Sequence, residues 1–114
     1  MRRGFMATFV CLFVTGASAH AFLQHAQPGA DAKLKSAPKE LVLNFSEPLE
    51  PDFSGVDVMD AAGHGVEASP ATVSGPVITA VLKPLQPGQY RVKWHAISKD
   101  SHRTDGQFTF TVQP

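Results

Sequence analysis

Histidine is the side chain that changes charge and binds borderline metal ions near neutral pH. The 114-residue chain carries five, at positions 20, 25, 64, 95 and 102. His20 differs from the others in kind. It follows Ala17-Ser-Ala19, the small-x-small triplet that signal peptidase reads, so cleavage after Ala19 makes His20 the first residue. A first-residue histidine offers a free α-amine beside its imidazole, and the two nitrogens close a chelate ring on one metal ion. The amine titrates at roughly 7.7–8.0, so a strongly acidic cation displaces its proton near neutral pH. Cu(II) heads the divalent affinity order and favours tetragonal nitrogen and oxygen ligation.

A second cluster lies in the polar segment Ser98-Lys-Asp-Ser-His-Arg-Thr-Asp105. Asp100 and His102 are two residues apart and project from one side if the chain is extended there. With His20 they would make an equatorial set of three nitrogens and one oxygen around Cu(II). Plainer readings stand beside this one: a cleavage site that happens to precede a histidine, and a solvated loop closed by a capping aspartate. His25 reads as a surface residue, His64 as an exposed turn residue between two glycines, and His95 as facing outward beside Arg91 and Lys93. None of these three is a candidate ligand.

The segment ahead of His20 has the anatomy of an export signal. Arg2 and Arg3 precede the ten-residue apolar run Phe5 to Val14, which is too short for a bilayer span of about 20 residues. The Arg2-Arg3 pair faintly resembles a twin-arginine signal, but the general secretory route is the expectation. Cys11, the only cysteine, lies inside this run, so the processed chain has no disulfide and no cysteine-based metal cluster. Formal net charge is zero, and loss of Arg2 and Arg3 turns it slightly acidic, which argues against a nucleic-acid partner. The expected organisation is residues 1–19 as a cleaved signal and 20–114 as one domain without a membrane anchor.

The elements that must position these ligands read as strands. Glu40 to Ser46 alternates, with Leu41, Leu43 and Phe45 on one face. Val56 and Val58 alternate likewise, and Val77 to Leu82 is largely β-branched and apolar. Tyr90, Val92, Trp94 and Ala96 form the inward set of a strand over 90–97, and Phe108, Phe110 and Val112 that of a last one. Prolines at 28, 38, 48, 51, 70, 84 and 87 punctuate the runs. About seven short strands, each with one apolar face, predict an all-β, immunoglobulin-like Greek-key sandwich or barrel.

Taken together, these residues resemble the CopC-type periplasmic copper-binding proteins. The resemblance rests on His20, Pro28-Gly29-Ala30, Ala37-Pro38, Leu41 to Pro48, Pro87 to His102 and Gly106-Gln-Phe-Thr-Phe110. Its most specific part is the pattern Trp94-x-Ala96-x-Ser98-x-Asp100-x-His102. It implies a Greek-key β-barrel or sandwich whose one Cu(II) ion is held by His20, Asp100 and His102. Glu47 corresponds to a family glutamate near the metal, where it would accept a hydrogen bond from a ligand or a copper-bound water. Several members also hold Cu(I) in a methionine-rich loop; here residues 58–76 contain only Met59, so no Cu(I) site is expected. A further departure is Arg103-Thr-Asp105, where other members carry Pro and Thr.

The function implied is sequestration or carriage of copper for homeostasis or resistance, without catalysis. It would be carried out by a periplasmic monomer working with a CopD-type inner-membrane copper transporter. Two alternatives belong to other classes. One is a copper oxidoreductase built on the N-terminal histidine; the other is a sandwich module that binds no metal.

Overall fold

The computed structural model describes residues 21–114. His20 and the expected cleavage after Ala19 lie outside the described residues. Eight strands run in chain order: β1 (Leu23–Gln27), β2 (Lys33–Leu34), β3 (Glu40–Phe45), β4 (Gly55–Met59), β5 (Thr72–Ser74), β6 (Val77–Val81), β7 (Gly88–Ile97) and β8 (Arg103–Val112). One sheet has the order β1-β3-β6-β5 and the other β2-β8-β7-β4. All pairings are antiparallel except β2 with β8.

The expected alternation accounts for the core between the sheets. Leu41, Leu43, Phe45, Ile78 and Ala80 face it from the first sheet, and Val56, Val58, Tyr90, Val92, Ala96, Phe110 and Val112 from the second. Each Leu, Ile, Val or Phe among them, once fully buried, contributes about 1.5–3 kcal/mol of hydrophobic free energy. Tyr90 stacks on Phe110 with ring centroids 5.4 Å apart and donates its hydroxyl to the Gln86 carbonyl at 2.6 Å. That bond satisfies the polar end of an otherwise buried ring.

The eight strands among the described residues accord with the expected count of about seven. One expectation is corrected: β8 begins at Arg103, inside the segment read as a polar connection. Arg103 to Gln107 pair residue for residue with Lys93 to Ile97, which supplies the ladder hydrogen bonds that residue type alone does not reveal. Trp94, expected to face inward, packs against the core and is half-buried there. Its indole meets Phe45 edge-on at 5.1 Å and lies over Gly106, its cross-strand partner.

The free edge of β4 is covered by its own connection. Val66 N–H donates to the Val58 carbonyl at 2.9 Å, and Glu67 accepts from Val58 N–H at 2.6 Å. Past β3 the chain crosses to the second sheet, where Glu50 N–H donates to the Ile97 carbonyl at 2.8 Å and Ile97 N–H to Ser54 Oγ at 3.0 Å. The far end of β7 is therefore fixed on both flanks, by β8 and by residues 49–54.

A Cβ at Gly106 would stand 2.7 Å from Trp94 Cζ2, inside van der Waals contact with a ring already packed on Phe45. Gly106→Ala is expected to destabilise the sandwich by about 1–3 kcal/mol. Urea unfolding followed by Trp94 fluorescence measures this, and an unchanged midpoint would show that the ring moves aside freely.

Candidate metal centre

Asp100 and His102 sit in the hairpin that joins β7 to β8. Ser98 N–H donates to the His102 carbonyl at 3.1 Å, and Ser101 N–H to the Ser98 carbonyl at 2.9 Å. Between them is a three-residue loop, Lys99-Asp100-Ser101. Ser101 has φ +73, the left-handed position that closes such loops and that glycine usually fills. The expected extended geometry for Asp100 and His102 is thus wrong in its means. A turn with one left-handed residue, not an extended strand, brings the two side chains together.

They do meet. His102 Nδ1 lies 3.0 Å from Asp100 Oδ2, with both side chains partly open to solvent. The other carboxylate oxygen is occupied locally: Oδ1 accepts from the Ser98 hydroxyl and from His102 N–H at 3.3 Å. Asp100 is therefore both the cap of its own turn and a carboxylate with one oxygen directed at an imidazole. The Ser98 hydrogen bond, followed by that of His102, lowers the Asp100 pKa to about 2, so the group stays anionic throughout the neutral range.

Ser98 is the anchor of this arrangement. It is 1% exposed and stands two residues beyond Ala96, on the inward face of the strand. Its residue type does not single it out in the sequence. The period-two series Tyr90, Val92, Trp94, Ala96 points to it when carried one step further.

The 3.0 Å between Nδ1 and Oδ2 is a hydrogen bond that keeps the two side chains side by side, and imidazole and carboxylate are both ligand types for borderline divalent ions. Two donors do not complete a site, and among the described residues no group of three or more His, Cys, Asp or Glu side chains gathers to hold a metal. Any closed coordination sphere must draw on something further.

The first described residues arrive at this same end. Thr104, two residues after His102, donates its hydroxyl to the Ala21 carbonyl at 2.7 Å. Phe22 exchanges two hydrogen bonds with Ser46, each 2.8 Å long. Glu47 follows Ser46 directly and is half-buried. The remaining histidines are placed apart. His25 is exposed on β1, and His64 is exposed with Nδ1 3.5 Å from Asp60 Oδ2. His95 is half-buried on the outer face of β7, where its ring covers Gly55.

The CopC domain family model matches residues 23–113. Copper resistance protein C of Pseudomonas syringae pv. tomato is 36% identical over 121 residues, covering 93% of this chain and 95% of that protein. Copper transport protein CutJ of Bacillus subtilis is 32% identical over 82% of this chain, a match that takes up 18% of CutJ. Among solved structures, CopC from Methylosinus trichosporium OB3b has a TM-score of 0.77 at 32% identity, over 83% of this chain and 95% of that one. PcoC, a methionine-rich copper resistance protein from Escherichia coli, has a TM-score of 0.74 at 34% identity, over 83% and 100%.

Removing the Ser98 hydroxyl takes away the largest cause of the low Asp100 pKa. In Ser98→Ala that pKa is expected to rise from about 2 toward 3.8, as read by carboxyl-carbon NMR titration. The sign for stability follows. A depressed carboxylate pKa contributes stability that is present above the unfolded-state pKa and lost as pH falls through the folded one. The Ser98→Ala chain should accordingly lose less stability than the parent between pH 4 and pH 2. Identical titration of Asp100 in the two chains would remove Ser98 from this role.

Proposed function

This chain belongs to the CopC family of copper-resistance proteins, and from that premise we propose that it binds one Cu(II) ion in the periplasm and sequesters or carries it. The family is one of binding proteins and not of enzymes, so the task is to hold the ion and release it. Residues 1–19 act as the export signal, and removal after Ala19 exposes the amine of His20. His20 contributes that amine and its imidazole, His102 an imidazole and Asp100 a carboxylate oxygen. Glu47 accepts a hydrogen bond from a ligand or a copper-bound water.

One observation carries this reading: the Asp100–His102 pair stands 3.0 Å apart at the end of the sandwich where Ala21, the residue after His20, is tied to Thr104. Donor chemistry supports the oxidation state. Imidazole, amine and carboxylate suit Cu(II), whereas thioethers select Cu(I), and the only methionine after the leader is Met59. A membrane copper transporter of the CopD type is the proposed partner. The match to part of a longer copper transport protein supports a unit of this kind working beside transport machinery.

The test is a Cu(II) titration of the chain beginning at His20, followed by Trp94 fluorescence and copper EPR. The control is the same chain with one extra residue ahead of His20, which turns the amine into an amide. Stoichiometric binding with a tetragonal, nitrogen-rich spectrum is expected for the first and much weaker binding for the second. Asp100→Ala and His102→Ala should each weaken binding in the unextended chain while leaving it folded. Equal binding by the extended and unextended chains would remove His20 from the site and the reading with it.

A further inference from the structure

The peptide following His20 is stitched to both sheets. Thr104 lies in β8 of the second sheet, paired with Ala96 across the hairpin, and its hydroxyl holds the Ala21 carbonyl at 2.7 Å. Ser46 follows β3 of the first sheet; its Oγ accepts from Phe22 N–H, and its own N–H donates to the Phe22 carbonyl. Ala21 itself is completely buried. A buried carbonyl that loses a strong donor costs more than the bond is worth when exchanged with water. The Thr104 hydroxyl therefore fixes more than local comfort.

We propose that Thr104, two residues after His102, is the positioning residue for the amino-terminal copper ligand: by gripping the Ala21 carbonyl it sets the direction in which the chain reaches His20. The inference rests on the Cu(II) reading given above and adds to it how a chain end, normally the loosest part of a protein, becomes a preorganised ligand. Its cost and benefit follow from populations. If only a fraction of molecules hold the end in the binding-competent place, the apparent dissociation constant rises by the inverse of that fraction. In this proposal Thr104, with Ser46 opposite, raises that fraction without touching the metal.

The test uses Thr104→Val, which preserves shape and β-branching and removes the donor, and Thr104→Ser, which keeps it. Both are made in the chain beginning at His20 and in the chain carrying one extra residue. Cu(II) affinity is measured by competition with a chelator, and unfolding midpoints without metal are recorded for all.

Thr104→Val should weaken Cu(II) binding about tenfold, the equivalent of one buried hydrogen bond, and shift the copper EPR parameters. Thr104→Ser should restore both. In the extended chain, whose amine no longer binds, Thr104→Val should have no further effect. Ser46→Ala, which removes the acceptor of the Phe22 N–H, should weaken binding in the same direction. Unchanged affinity in Thr104→Val, with the extended chain still weak, would overturn this inference and leave the copper site standing. An equal loss in both chain lengths would overturn it too, by showing that Thr104 acts through the fold at large. Equal binding by the extended and unextended parent chains would remove the copper reading itself.

Discussion

The structure depends most on the uninterrupted pairing of β7 with β8. Ten successive residue pairs, from Gly88 with Val112 to Ile97 with Arg103, fix the register of the longest hairpin. Because side chains alternate with period two, that register decides simultaneously which residues enter the core and which side chains stand at the turn. A slip by one residue would carry Val92 and Phe110 out of the core and separate Ser98 from the loop that it closes. The chemistry at Asp100 and His102 therefore inherits its accuracy from a ladder that begins some ten residues away.

The same hairpin explains how a small all-β protein can present the proposed metal site on a short loop. Its ligand loop is short, closed by backbone bonds between Ser98, Ser101 and His102, and its carboxylate is held by a buried hydroxyl. Little entropy remains for the loop to lose when an ion arrives. The complementary element, the start of the chain, comes from the first sheet and reaches Thr104 of the second. In the proposed site the metal thus joins parts of the chain more than 80 residues apart.

Legibility from sequence varied with how strongly each element expresses its period. The strands over 40–45, 77–81 and 90–97 announced themselves through Leu41, Ile78 and Val92, whose alternation is a direct consequence of one buried face. β1 did not, because a register shift between Leu23 and His25 breaks the period, so that Leu23 and Ala26 both pack on the core. β2 and β5, two and three residues long, hold no full period at all. At the site, Asp100 and His102 were nameable from their spacing and their resemblance to a family. The turn that unites them was not, since Ser101 occupies a left-handed position without the glycine or asparagine that would flag it. Thr104 was hidden for another reason: a threonine in a strand looks like ordinary β-propensity, and its partner lies 83 residues away.

The covering of β4 has a consequence for the protein in company. An open strand with unused N–H and C=O groups is a template on which a second chain can lengthen the sheet. Here Glu67 and Val66 occupy backbone groups of Val58 on that edge, β1 is bulged, and β2 and β5 are too short to offer a repeat. A sandwich built this way gives neighbouring copies little on which to start a fibre.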